Sequence, residues 1–172
     1  MNLTELVTGV ETWEDIHTEF KEWSIAADDL AASLVAFANT DGGQLIFDVS
    51  NQKRLIGIDD PDRLMQLVDN VAFNNYDPPI TAIRETVRDE QGRVVVVVNV
   101  PKGDRRAYRT QRGGYFVRTT SGRRQASRQE LLRLFQAIAH RLALMLATIP
   151  VEPLLSQPSP IARSFRSHRS DQ

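Results

Sequence analysis

Three carboxylates and a lysine are the side chains here that could do chemistry on a phosphate. Glu14 and Glu19 flank His17 in the run Glu14-Asp15-Ile16-His17-Thr18-Glu19-Phe20-Lys21. Paired carboxylates can hold a divalent ion such as Mg²⁺, which keeps its other positions for water and substrate phosphates. An ion so held can activate water for phosphodiester cleavage. Glu14 and Glu19 are therefore the candidate metal ligands and catalytic acids, and two solvated acids at a strand start are the plainer alternative. Lys21 shares a strand face with Glu19, placed either to neutralise it or to touch a phosphate. Asp48 is the third candidate acid, set in the apolar run Leu45-Ile46-Phe47-Asp48-Val49. An unpaired buried carboxylate is costly, so Asp48 needs a partner, a metal or a water-facing edge position.

The basic side chains are concentrated elsewhere. Residues 1–90 hold 18 acidic against 6 basic side chains, whereas residues 102–133 hold 10 basic against 2 acidic. Such a split points to nucleic-acid contact, or to a basic half docking on an acidic half of the same or a neighbouring molecule. Arg109, Arg112, Arg118, Arg123 and Arg124 surround Tyr108, Tyr115 and Phe116. Arginines neutralise phosphates and stack on bases, and aromatic rings offer stacking platforms. Lys21, Arg109, Arg112, Tyr115, Arg118, Arg123 and Arg124 are therefore the candidate nucleic-acid contacts. Gly42-Gly43 reads as a turn, because no phosphate-loop pattern accompanies it. His17, His140 and His168 show no metal-ligand spacing, and no serine–histidine–acid arrangement stands out.

These residues need a scaffold of alternating strands and helices. The spacing predicts a first strand over 18–23, with Phe20 facing away from Glu19 and Lys21. An acidic helix start at Asp28-Asp29 leads into an Ala-rich body with Leu30, Leu34 and Phe37 on one face, ending at Asn39 and Gly42-Gly43. Residues 45–49 read as a buried strand with 55–58 as its hairpin partner. Asp60-Pro61 starts a second helix. Residues 80–87 and 94–100 form a hairpin, and the five consecutive valines from Val94 mark a central strand. Residues 107–110 and 115–119 flank a second hairpin turn at Gln111-Arg112-Gly113-Gly114. Ser127 and Glu130 make a capping box for a last helix. Its stripe of Leu131, Phe135, Ile138, Leu142 and Met145 fits packing on the sheet, or a homodimer seam.

The chain of 172 residues has no cysteine, which excludes disulfides and thiolate metal sites. No apolar run reaches the roughly 18 residues of a membrane span. The N-terminus lacks a basic-then-apolar leader pattern, so a cytoplasmic protein without membrane contact is expected. Residues 1–147 are expected to form one domain, followed by a Pro-, Ser- and Arg-rich disordered tail over 148–172.

Four stretches in order resemble the Schlafen AlbA-like domain family. They are Glu14 with Glu19-Phe20-Lys21; Ala36-Phe37-Ala38-Asn39-Thr40 with Gly42-Gly43; Leu55-Ile56-Gly57; and Tyr115-Phe116-Val117-Arg118 with Ala126 and Glu130-Leu131. The resemblance implies an α+β domain with a mixed, mostly antiparallel sheet and flanking helices. It also implies nucleic-acid binding, DNA or RNA, which needs no cofactor, and a place among transcription regulators. Related animal domains are metal-dependent RNA endonucleases using two glutamates and an aspartate. That implies, as the alternative, a Mg²⁺- or Mn²⁺-dependent nuclease with Glu14 and Glu19 as ligands. The family's aspartate falls two residues after Asp48, where this chain has Ser50 and Asn51, and Asp48 itself stands where the family has glycine. Binding without catalysis is the leading expectation; an oligomeric protein-interaction module is the third.

Overall fold

The computed structural model describes residues 15–49, 56–88 and 91–148. Glu14, Ser50, Asn51, Leu55 and the tail from residue 149 onward lie outside them. The elements are β1 (Thr18–Lys21), α1 (Ala27–Asn39), β2 (Gly43–Phe47), α2 (Pro61–Asn74), β3 (Tyr76–Asp77), β4 (Ile83–Arg88), β5 (Val94–Val100), β6 (Arg109–Thr110), β7 (Phe116–Thr119), β8 (Gly122–Gln125) and α3 (Arg128–Ala147). The four-stranded sheet runs β1-β2-β5-β4, with β1 parallel to β2 and the other pairs antiparallel. The architecture is the expected α+β with a mixed sheet.

Strand alternation sorts the valines of β5 between two cores. Val96, Val98 and Val100 face Leu45, Phe47 and the apolar sides of α1 and α2. Val95 and Val97 join Ile46, Val49, Val87 and Phe20 on the opposite face. Buried on both faces, β5 is the interior strand that its composition predicts.

Helix α1 is the structural hub, since every residue from Leu30 to Asn39 is buried. The sheet covers one side of it, and β7, β8 and α2 take others. Ala31, Ala32, Ala36 and Ala38 permit this close approach, because larger side chains would hold the neighbours apart. The helix ends on Thr40 and Gly42, whose N–H groups both donate to the Phe37 carbonyl, at 3.1 and 3.0 Å. Gly42 has a left-handed φ of 78°, and a Cβ there would fall 2.7 Å from the Lys102 nitrogen. This glycine turn therefore serves packing, and its N–H is already used.

Asn39 closes the hub. Its amide donates to the carbonyls of Tyr108 (2.8 Å) and Phe116 (3.1 Å), while its oxygen accepts from the Tyr108 N–H at 2.7 Å. One buried side chain thus satisfies three backbone groups of the later half of the chain. Helix α2 starts as expected, with the Asp60 side chain accepting from the Arg63 N–H at 3.0 Å. Helix α3 opens on the capping box: Ser127 N–H donates to Glu130 (2.8 Å), and Glu130 N–H to Ser127 Oγ (3.3 Å). Compact packing divides the chain within α3, between Ala139 and His140.

Three expectations change. Residues 56–58 form no strand beside β2, because β1 and β5 already occupy both edges of β2; Ile56 instead donates to the Asp48 carbonyl. The segment at 107–110 does not pair with 115–119. Its β6 portion pairs with β3, and the hairpin is β7–β8, turning at Thr120-Ser121. Helix α3 buries none of its residues, so it is no core helix of the sheet; its first half touches β7's neighbourhood through Phe135, edge-on to Tyr115 at 6.0 Å between ring centres.

Replacing Asn39 by Ala strands a buried N–H and two carbonyls, each at roughly 1–3 kcal/mol. Urea unfolding should show Asn39→Ala losing about 3 kcal/mol or more; a loss below about 1 kcal/mol would show that this amide does not hold the halves together.

Candidate nucleic-acid interface

β1 alternation turns Glu19 and Lys21 toward α1 and Phe20 away from it. Glu19 is buried, and Arg118, arriving from β7, meets it at 2.6 Å with a side chain that is 0% exposed. The same guanidinium donates to the carbonyls of Asp15 (2.7 Å), Ile16 (3.3 Å) and Thr18 (3.4 Å), and stacks 4.6 Å above the Phe37 ring. The other Glu19 oxygen accepts from Lys21 at 2.7 Å and Ser33 at 3.2 Å. Arg123 extends the network, donating to Ser33 Oγ at 2.6 Å and pairing with Asp29 at 2.5 Å.

Glu19 therefore presents both oxygens to cations and a hydroxyl of its own chain. A divalent ion there would lie beside Arg118 and Lys21, two like charges. Arg118, expected on the nucleic-acid surface, is instead buried and committed to four oxygen partners. Among the described residues no group of three His, Asp or Glu side chains is placed to hold a metal ion.

Asp48 lies apart from this network. It follows β2 in a left-handed conformation (φ 71°), is 4% exposed, and its Oδ2 has no hydrogen-bond partner. Burial, then the nearby Asp59 and Glu22 carboxylates, raise its pKa above the ordinary aspartate value. Glycine is the residue that takes this backbone without strain. The structure brings Asp48 near Glu22 and Asp59; no contact joins it to Glu19.

The remaining arginines divide by exposure. Arg112 pairs with Asp28 at 2.7 Å, but its side chain is 79% exposed. Arg124 meets Glu130 through both nitrogens, at 2.9 and 2.8 Å. Hydrogen bonds from Arg124 first, then from Ser127, hold the Glu130 carboxyl down to about 2. Arg109 is exposed, and Tyr115 is half-buried against Phe135. Of the ten basic residues in 102–133, Lys102, Arg112, Arg118, Arg123 and Arg124 form ion pairs. Arg105, Arg106, Arg109, Arg128 and Arg133 form none among the described residues. Charge counting along the sequence could not separate these two sets, because four of the five partners, Asp28, Asp29, Asp41 and Glu19, lie some 60 to 100 residues away; Glu130, six residues from Arg124, is the local one.

The fold and this charge-locked centre define an α+β domain of the AlbA-like class. The chain belongs to the Schlafen, AlbA_2 family, whose profile matches residues 14–127. No curated protein matches it. Among solved structures it is similar to the DIP2311 protein of Corynebacterium diphtheriae, with 21% identity and a TM-score of 0.55; the match covers 78% of this chain but only 28% of that protein. It is also similar to the N-terminal domain of a Nitrosomonas europaea protein described as related to the ATP-dependent DNA helicase RecG. There the identity is 20% and the TM-score 0.56, over 74% of this chain and 93% of that domain. At these identities the likeness is one of fold. No helix among the described residues is long and apolar enough to cross a membrane.

Removing one partner of a buried ion pair costs about 3–5 kcal/mol, whereas an apolar replacement of both is far less costly. Glu19→Leu and Arg118→Met should each lower stability by that order in urea unfolding, and the double variant should recover most of the loss. Equal losses in all three would deny the coupling.

Asp48 sets a pH dependence of known sign. Its folded pKa lies above the unfolded value, so its ionisation opposes folding. The destabilisation is absent at pH below the ordinary aspartate value and grows as pH rises through the folded pKa. Asp48→Asn should raise the urea midpoint at pH 7 and gain little near pH 4. Asp48→Gly should add about 1 kcal/mol by relieving the left-handed backbone. A wild type more stable than Asp48→Asn at pH 7 would contradict this.

Proposed function

We propose that the domain binds nucleic acid through the phosphate backbone, with Arg109 and Arg112 as the leading contacts. The observation that carries this is the incomplete internal neutralisation of the basic segment. Five of its ten cations are matched by acids, and exposed Arg105, Arg109 and Arg128 are left without an ion pair among the described residues. An exposed pair such as Arg112–Asp28 is worth roughly 0–1 kcal/mol, so Arg112 can exchange Asp28 for a phosphate at little cost. Arg109 and Arg112 flank a tight turn, where Thr110 N–H donates to the Gly114 carbonyl at 2.9 Å and Gly113 N–H to the Thr110 carbonyl at 2.8 Å. Both guanidiniums therefore project from one braced loop. Family membership supports the reading. The Nitrosomonas relative's description as RecG-related adds a DNA context for that protein. Contacts of this kind read charge rather than sequence, so affinity should be broad and salt-sensitive.

Fluorescence anisotropy with labelled single-stranded and duplex DNA and RNA, run in EDTA, tests this. Binding should weaken steeply with salt. Arg109→Ala with Arg112→Ala should weaken all probes alike and reduce the log–log salt slope by about 1–2, one phosphate contact contributing about 0.9. Failure of every probe to bind at low salt would refute the proposal.

A further inference from the structure

A second basic surface lies away from the Arg109–Arg112 turn. An open groove of about 430 Å³ runs between the α1–β2 turn, the segment following β5 and the first turns of α3. Lys102, Arg106 and Arg133 line it, and Val117, Leu134 and Ala137 form an apolar wall. Its two carboxylates are both engaged: Asp41 by Lys102 at 2.6 Å, and Glu130 by Arg124 and the Ser127 cap. Arg106 is half-buried and Arg133 exposed, and neither forms an ion pair among the described residues.

Another cavity makes a useful contrast. It measures about 550 Å³, and the ion pairs Arg112–Asp28 and Arg123–Asp29 stand at its wall, so cations and carboxylates balance. The α3 groove has no such balance. Among the described residues, the one carboxylate whose charge Arg106 is shown to feel, Asp41, is already paired with Lys102, so this half-buried guanidinium loses hydration with little compensation, and an anion supplies it. Two unpaired guanidiniums, with Lys102 beside them, match a doubly charged group better than the single charge of a phosphodiester. Planar guanidinium forks suit phosphate oxygens. The apolar wall next to them suits a sugar or base. A volume of this size lies within the range of small-ligand sites, about 300–1,000 Å³.

We propose that this groove binds the phosphomonoester of a nucleotide, either at a strand end or free, with Arg106 and Arg133 on the phosphate and Leu134 and Ala137 against the nucleoside. The choice of a nucleotide rests on the nucleic-acid reading above; the site itself is made of residues that reading does not use. It stands on a firm floor, because Asn39 and Thr40 at its base are tied to the later chain. Thr40 Oγ1 accepts from the Arg118 N–H at 2.9 Å.

The test compares one short labelled oligonucleotide carrying a 5′-phosphate, a 3′-phosphate or neither, at pH 8, where the monoester is fully ionised (second pKa about 6). One phosphorylated end should bind at least roughly tenfold tighter than the hydroxyl form, the minimum expected of a charge-assisted contact. Arg106→Ala with Arg133→Ala should abolish that ratio. Arg109→Ala with Arg112→Ala should weaken all three probes and leave the ratio intact. A nucleoside monophosphate should compete with the phosphorylated end better than inorganic phosphate does. If all three ends bind alike and the nucleotide does not compete, the groove proposal is overturned while the backbone reading survives. If no oligonucleotide binds but the free nucleotide does, and Arg106→Ala with Arg133→Ala abolishes it, the groove stands and the backbone reading falls.

Discussion

The buried pair of Glu19 and Arg118 is the constraint around which the domain is arranged. A guanidinium with no solvent exposure must find all its compensation inside the protein. Arg118 finds it in the Glu19 carboxylate, three carbonyls of the segment entering β1, and the face of Phe37. None of these groups can shift far without leaving a buried charge uncompensated. β1, α1 and β7 are therefore held in one arrangement by a contact spanning 99 residues. Such a pair adds less to stability than its short distance suggests, since desolvating both ions offsets much of the attraction. Its main effect is to make alternative packings of β7 costly.

This gives the charge asymmetry of the chain a double meaning. The acidic first half is in part the counter-charge for the basic segment: Glu19, Asp28, Asp29 and Asp41 each hold a cation from 102–123. The intramolecular and the nucleic-acid readings of the asymmetry thus apply to different residues. Burial separates them. Arg118 and Arg123 lock the β7–β8 hairpin to α1, while Arg109 and Arg112 keep exposed side chains on a turn held by β3 pairing and its own backbone hydrogen bonds. The interior pairs make the platform stiff, and the unpaired cations on it are arranged by that stiffness.

Helix α1 links the two ends of this arrangement. Its first turn offers Asp28 and Asp29 to the arginines, and its middle offers Ser33 to Glu19 and Arg123. Its last residue, Asn39, satisfies the backbone of Tyr108 and Phe116. From Leu30 to Asn39 the helix is buried all round and has no free polar face, so each polar side chain on that stretch must have a tertiary partner. Ser33 and Asn39 are such residues. Asp48, after β2, departs from this pattern of satisfied buried polar groups, with one oxygen unsatisfied and a backbone better suited to glycine. It lowers stability where a glycine would not, and nothing in the described structure compensates for it.

Local rules made much of the fold legible. Five valines in sequence specified the interior strand. Asp60-Pro61 and the Ser127–Glu130 box set two helix starts, and the alternation of Glu19, Phe20 and Lys21 set the facing of β1. Each of these depends on neighbours a few residues apart, which is what a sequence displays. The pairing of 107–110 was misjudged because a turn with two glycines looks like a hairpin wherever it occurs, and the competing partner Tyr76-Asp77 is over thirty residues away. The burial of Arg118 against Glu19 was hidden for the same reason, since its partner lies 99 residues away. The sequence by itself determined that a basic, aromatic segment follows an acidic half, and that the family's ordered motifs would build an α+β domain. Only the tertiary structure decided which arginines are neutralised and which remain available, because burial and counter-charge are properties of packing between distant segments and leave no mark on local residue order.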